Sequence, residues 1–96
     1  MNDNVILSES IKIDIARHCI GMDRRKTYHR HGKAFYRPYR NYYALWKRDS
    51  HWESLVEEGY AKCETTPQEN VIYYMTRKGL DWLGKRLGVT IYDEED

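Results

Sequence analysis

Residues 50–88 read SHWESLVEEGYAKCETTPQENVIYYMTRKGLDWLGKRLG, and this stretch decides the fold. It opens with Ser-x-x-Glu from Ser50, a capping box of the kind that begins a helix. Trp52 and Leu55 are three residues apart and lie on the inner face of that helix. Gly59 comes shortly after this apolar face and is placed to end the helix. The beginning of the stretch therefore predicts a short amphipathic helix.

The hydrophobic period changes after this helix. Residues 60–65 alternate loosely between polar and apolar, and residues 71–75 are β-branched and aromatic, as strands are. The turn-rich loop TPQEN at residues 66–70 joins them, so the pair predicts an antiparallel hairpin. Thr76 then caps a last helix, which Gly88 ends. The inner face of this helix carries Leu80, Leu83 and Leu87. We expect one buried core to contain Trp52, Leu55, Leu80 and Leu83.

An amphipathic helix is also predicted near the start of the chain. Residues 1–7 are expected to be a loose lead-in, after which Ser8 or Ser10 can cap the helix. Its apolar stripe repeats every four residues and contains Ile11, Ile15 and Cys19. Gly21 is placed to end it.

The middle of the chain is predicted to contain a short basic hairpin and a second helix. Residues 26–30 and 33–37 flank His31-Gly32, which favours a β-hairpin, with an irregular loop as the alternative. A second helix is expected from Pro38 to about Arg48, because proline suits a first turn. Apolar spacings of four support that helix, namely Tyr39 with Tyr43 and Tyr42 with Trp46. Three helices would then precede the C-terminal hairpin, and one would follow it.

This order of elements is that of a winged helix-turn-helix. Residues 55–61 (LVEEGYA) and 73–80 (YYMTRKGL) resemble the C-terminal half of MarR-like winged helices, whose pattern is L-x-x-x-G-L/Y, wing, Y-x-x-T-x-x-G. The resemblance implies an α+β class, with helices packed on a C-terminal β-hairpin wing and a final helix. We expect one winged-helix-like domain over residues 1–92 and an acidic tail over residues 93–96.

A second resemblance spans most of the chain. Residues 16–23, 36–43 and 52–55, together with Gly59, look like small uncharacterised phage and prophage proteins with the pattern A-L-G-L … Y-R-N-x-F … W-x-x-L-x-x-x-G. This likeness implies a phage or prophage source, and hence the cytoplasm of a host cell. It implies no particular activity.

The charge is strongly divided along the chain. Residues 17–48 contain ten basic residues and one acid, Asp23, a net charge of +9, whereas residues 49–76 carry −5. In a winged helix the helix before the hairpin normally enters the major groove of DNA. That helix is acidic here, and the loop at 66–70 has no Lys or Arg, so conventional docking to a polyanion is disfavoured. The basic segment is the better candidate surface.

The candidate interface lies in residues 23–48, where basic and aromatic side chains interleave. Its cations could neutralise phosphates, and Tyr28, Phe35 and Tyr36 could stack on bases. If the hairpin forms, Lys26, Tyr28 and Arg30 share one face. Asn41 could read base edges or could fix a local turn near Pro38. The predicted nucleic-acid-binding residues are Arg24, Arg25, Lys26, Arg30, Lys33, Arg37, Arg40, Asn41, Lys47 and Arg48.

The predicted function is that of an accessory or regulatory protein that binds nucleic acid, with DNA favoured. The alternative is an interaction module whose basic face docks an acidic partner protein. A homodimer is plausible, because helix-turn-helix proteins often pair to read two half-sites.

Other classes of function are disfavoured by what the sequence contains. Asp49, Ser50 and His51 are adjacent, which is the wrong way to assemble a catalytic triad, and no glycine-rich phosphate loop is present, so no catalytic residue is expected. The cysteines lack paired spacing, so no metal or other cofactor is expected. No apolar run is long enough to span a membrane, and no signal peptide is recognisable, which predicts a cytoplasmic protein.

Overall fold

The computed structural model describes residues 8–93, which form an α+β fold of three helices and two three-stranded sheets. The expected lead-in at residues 1–7 and the tail after Asp93 lie outside this range. The helices are α1 (Glu9–Cys19), α2 (Ser50–Glu57) and α3 (Arg77–Leu87). The strands are β1 (Tyr28–Arg30), β2 (Lys33–Tyr36), β3 (Tyr43–Leu45), β4 (Ala61–Thr65), β5 (Val71–Met75) and β6 (Val89–Ile91). The expected α+β class is confirmed.

The two sheets differ in how their strands are joined. Sheet 1 has the order β1-β2-β6, in which β1 and β2 form an antiparallel hairpin and β6 adds in parallel to β2. Sheet 2 has the order β3-β5-β4, and both of its pairs are antiparallel. The predicted hairpins at 26–37 and 60–75 are therefore both present, one in each sheet.

All three helices begin at a side chain that caps the first turn. The Ser8 side chain accepts a hydrogen bond from the Ile11 N–H, and the Thr76 side chain accepts one from the Gly79 N–H, as the sequence predicts. For α2 the cap is Asp49, one residue before the predicted Ser50, and its carboxylate accepts from the Trp52 N–H at 3.0 Å. Within residues 8–93 no helix is long and apolar enough to cross a membrane.

The predicted helix from Pro38 to Arg48 is wrong, because this segment is extended and contains β3. Hydrogen bonds to distant parts of the chain engage its backbone and side chains. The Tyr42 N–H donates to the Cys19 carbonyl at 3.2 Å, and β3 pairs along its length with β5. Strand pairing therefore overrides the spacing of four. Within residues 8–93, two helices precede the C-terminal hairpin instead of the predicted three.

The core lies between the helices and the inner face of sheet 2. Trp52, Leu55, Leu80 and Leu83 are buried in one cluster, which confirms the prediction. The Trp52 ring stacks on Tyr73 of β5 with a centroid distance of 5.0 Å. Sheet 1 joins the same cluster through the buried side chains of Tyr36 and Ile91. Both sheets therefore leave one face outside the core.

One carbonyl explains why a glycine stands three residues after Thr76. The Tyr60 carbonyl accepts a hydrogen bond from the Thr76 N–H at 3.0 Å, and α3 starts directly against it. A Cβ on Gly79 would lie 1.9 Å from the Tyr60 oxygen. The T-x-x-G spacing therefore fixes how closely α3 approaches the chain at the start of β4.

Candidate functional site

The basic hairpin forms through a tight turn at His31-Gly32. Both turn residues have positive φ, 52° and 75°, which is the conformation of a two-residue type I′ turn. Glycine adopts it without strain, and this turn matches the twist of the two strands that it joins. The hairpin is thus present in place of an irregular loop, and its register sets Arg30 opposite Lys33.

A row of three aromatic rings crosses the outer face of sheet 1. Tyr28 of β1 lies opposite Phe35 of β2, and their nearly parallel rings have centroids 5.6 Å apart. Phe35 is followed by Tyr92, just after β6, at 6.0 Å and an interplanar angle of 7°. The Arg37 guanidinium covers the Tyr92 ring at 4.8 Å from the centroid. The row therefore begins at Tyr28, which is 46% exposed, and ends under a cation.

Cations flank the aromatic row on the same face. Side chains two apart on a strand, and those directly opposite across strands, share a face, so Arg30 and Lys33 lie beside Tyr28 and Phe35. Both cations are exposed, and within residues 8–93 neither forms an ion pair. The sequence from residue 24 to residue 48 contains no acid. The hairpin β1-β2 therefore carries cations on this face and no carboxylate of its own.

Tyr36 belongs to the opposite face, so it is not available for stacking as the sequence suggested. Its ring is fully buried and its hydroxyl donates to the Ile20 carbonyl at 2.8 Å. Burial, which disfavours the phenolate, raises the pKa of Tyr36 to about 12. This residue attaches sheet 1 to the end of α1.

A second group of predicted residues surrounds Tyr39 and has a structural role. The guanidinium carbons of Arg25 and Arg40 lie 4.9 and 5.5 Å from the Tyr39 ring centroid. Arg25 also donates to the Arg37 carbonyl at 2.9 Å. Arg40 donates to the His18 carbonyl at 2.8 Å and pairs with the Asp23 carboxylate at 3.0 Å. These contacts bind the segment after the hairpin to the end of α1.

The remaining cations of the segment have different surroundings. Arg24 and Lys26 are exposed ahead of β1, and the Arg24 Nε lies 3.9 Å from Asp23. Lys47 and Arg48 follow β3 in sheet 2, where Arg48 pairs with Glu53 of α2 at 2.9 Å. The predicted cations are thus divided between the two sheets.

The Asn41 amide is engaged by the protein backbone. Its Oδ1 accepts from the Met75 N–H at 2.8 Å, and its Nδ2 donates to the Met75 carbonyl at 2.9 Å. The Cys19 thiol also donates to Oδ1, at 3.4 Å. Asn41 therefore continues the pairing of β5 ahead of the start of β3, and its amide binds the Met75 backbone through both Oδ1 and Nδ2.

The end of α2 and the hairpin β4-β5 carry more acids than bases. Glu57 and Glu58 are exposed at the end of α2, where Glu58 pairs with Lys12 at 3.0 Å. The hairpin β4-β5 carries Glu64 and Glu69, and no Lys or Arg occurs between residues 63 and 76. The hairpins β4-β5 and β1-β2 therefore carry net charges of opposite sign.

Tyr92 is a member of the aromatic row that sequence reasoning missed. It follows β6, a strand that was not predicted, since residues 89–92 were assigned to no element. The run VTIY, which is β-branched and aromatic, is the signal that could have indicated a short strand.

Other sites and comparisons add no competing candidate. Within the described range of residues 8–93, no group of three or more His, Cys, Asp or Glu is arranged to hold a metal ion. No protein-family model matches the chain, and no curated protein or solved structure matches it.

Proposed function

We propose that the protein binds nucleic acid through the outer face of sheet 1, as a non-enzymatic accessory or regulatory protein. The observation that carries the proposal is the combination on that face of a three-ring aromatic row with Arg30, Lys33 and Arg37. Phosphate neutralisation by Lys and Arg supplies affinity, and aromatic rings supply contacts to bases.

The proposal uses fewer residues than the whole basic segment. Arg30 and Lys33 are exposed at the tip of the hairpin, and Arg37 adds a third cation along the row. Arg25 and Arg40 contribute to the same positive field, although their guanidinium groups already contact the chain. Lys26 and Arg24 extend the field ahead of β1. Lys47, Arg48 and Asn41 are assigned to sheet 2 and are not needed.

We also propose a winged-helix-like relationship, in which α1 and α2 precede the hairpin β4-β5 as the helices of that fold precede its wing. Carboxylates on α2 and on the hairpin make groove insertion there unfavourable. For this reason we assign the nucleic-acid-binding surface to sheet 1. The resemblance to small phage and prophage proteins favours a phage-encoded regulator or DNA-processing accessory.

The test is a salt titration of binding to a labelled oligonucleotide, both as a single strand and as a duplex. Wild-type affinity is expected to fall linearly with salt on logarithmic axes, because neutralised phosphates release counterions. The double variant Arg30→Ala/Lys33→Ala should bind about 10- to 100-fold more weakly at low salt and flatten the slope by about two. Arg25 is left unchanged, since its loss would also remove contacts to Arg37 and Tyr39.

The control is Lys62→Ala/Lys78→Ala, which removes two exposed charges from β4 and α3, where each lysine lies over a tyrosine ring. If net charge alone governs binding, both double variants will lose affinity equally, and the assignment to sheet 1 is wrong. If the wild type binds neither form of the oligonucleotide at low salt, the nucleic-acid proposal fails. An acidic partner protein then becomes the better candidate for this face.

A further inference from the structure

The aromatic row on sheet 1 has a cation at one end and an exposed ring at the other. The Arg37 guanidinium lies over the Tyr92 ring, 4.8 Å from its centroid. At the other end Tyr28 lies on β1, which is an edge strand of sheet 1, and this ring has Phe35 as its described ring neighbour. Tyr28 is 46% exposed, whereas the rings of Phe35 and Tyr92 are partly buried by their neighbours.

We propose, building on the proposed function, that the ligand is a single-stranded nucleic acid and that one of its bases stacks on Tyr28. A base placed there would continue a row whose rings are already nearly parallel, at 24° and 7°. Every base has a π-face, so such a contact tolerates any sequence. The site therefore selects an unpaired strand without selecting a particular base.

The surrounding charges fit this occupant. Arg30 lies two residues from Tyr28 on the same face of β1, and Lys33 lies opposite Arg30. A base on Tyr28 would thus bring its own phosphates beside two cations that have no ion-pair partner among residues 8–93. Bases in a duplex are stacked on one another, so the ring of Tyr28 has no free base face to contact there. A duplex would engage the cations and leave the tyrosine unused.

The test compares two exposed tyrosines, Tyr28 in sheet 1 and Tyr42 just before β3, with a short labelled oligothymidylate and a duplex as probes. Tyr28→Ala is expected to weaken binding of the single strand by about 5- to 150-fold, the range measured for the loss of one stacked base. Duplex binding should stay within about twofold of the wild type, since no base is stacked there. Tyr28→Phe keeps the ring and should retain single-strand affinity. The control Tyr42→Ala removes a tyrosine that is 55% exposed next to β3 and should have no effect.

Three outcomes would overturn the inference while leaving the proposed function intact. The first is that Tyr28→Ala binds the single strand as well as the wild type while Arg30→Ala/Lys33→Ala loses binding. The second is that Tyr28→Phe loses as much affinity as Tyr28→Ala, which would assign the effect to the hydroxyl. The third is that Tyr42→Ala weakens binding equally. Absence of binding to both probes by the wild type would overturn the inference and the proposed function together.

Discussion

The two sheets of this protein have the same number of strands and differ in the side chains on their outer faces. Each has three strands and is attached by an inner face to one common core. Sheet 1 presents cations around a row of aromatic rings that contact one another. Sheet 2 presents separate aromatics, Tyr42 and Trp46, and a hairpin that carries Glu64 and Glu69.

The difference shows that two hairpins of one fold can carry very different groups on their exposed faces. The hairpin β4-β5 follows the helices as a wing would, yet its charge disfavours phosphate. The hairpin β1-β2 carries Arg30 and Lys33 and no acid. Function has to be argued from the groups on each face.

The largest effect on stability is expected from Gly79 of α3, which packs against the residue that precedes β4 of sheet 2. Gly79→Ala places a methyl group against the Tyr60 carbonyl, a backbone atom that cannot rotate away, so α3 must shift from the start of β4. We expect the free energy of unfolding to fall by about 3 kcal/mol or more, as for severe overpacking. Denaturant unfolding of the purified variant measures this change.

The matched variant in sheet 1 is Gly32→Ala. A Cβ there meets nothing within 4 Å, so the cost is only that of the left-handed backbone, about 1 kcal/mol. Equal losses for the two variants would contradict the close approach at Gly79.

A smaller effect is expected from two buried tyrosines at high pH, one under each sheet. Burial raises the pKa of Tyr36 to about 12, and burial together with a hydrogen bond to Glu53 raises that of Tyr73 to about 12. The unfolded chain releases these protons near pH 10, so the folded state binds more protons between pH 10 and 12. Stability from each tyrosine is therefore complete below pH 10 and is lost as the pH rises towards 12. Each tyrosine contributes up to about 2 kcal/mol to the free energy of unfolding in this way.

Tyr36→Phe and Tyr73→Phe should each make the fall in stability between pH 10 and about 12 shallower than in the wild type. The remaining titrating groups are common to all three proteins, so the differences isolate the two hydroxyls. If the two sheets unfold as one unit, both variants will reduce the pH dependence of the same cooperative unfolding transition. Two separate transitions, each altered by one variant only, would show that the sheets unfold independently.

The sequence predicted elements whose signals are local. Helix caps, the turn at His31-Gly32 and the change of period after α2 all lie within a few residues of the element that they specify. Residues 38–48 were misassigned because a spacing of four fits a helix and equally fits a strand, in which side chains alternate with period two. Pairing with β5 and the bonds of Asn41 to Met75 decide between them, and neither is visible in the local sequence.

The same limit applies to the candidate site. The charge asymmetry located the basic segment, and alternation correctly placed Tyr28 and Arg30 on one face of the hairpin. Tyr92 joins the aromatic row because β6 pairs in parallel with β2, and these two strands are more than fifty residues apart in the chain. Which cations are already bound to backbone carbonyls, as Arg40 is, also depends on tertiary contacts.

The smallest effect is expected from Trp46, the most exposed aromatic on the sheet 2 side. Its side chain is 84% exposed, so Trp46→Ala should change the free energy of unfolding by less than about 0.5 kcal/mol. Affinity for the oligothymidylate should also be unchanged, because the charges beside sheet 2 are mixed and its aromatics form no row. A stability loss that grows with protein concentration would instead indicate that a second copy of the chain covers Trp46. The two sheets would then differ in partner, with nucleic acid on sheet 1 and protein on sheet 2. Unfolding measured at two protein concentrations, with Tyr42→Ala as the neighbouring control, separates these results.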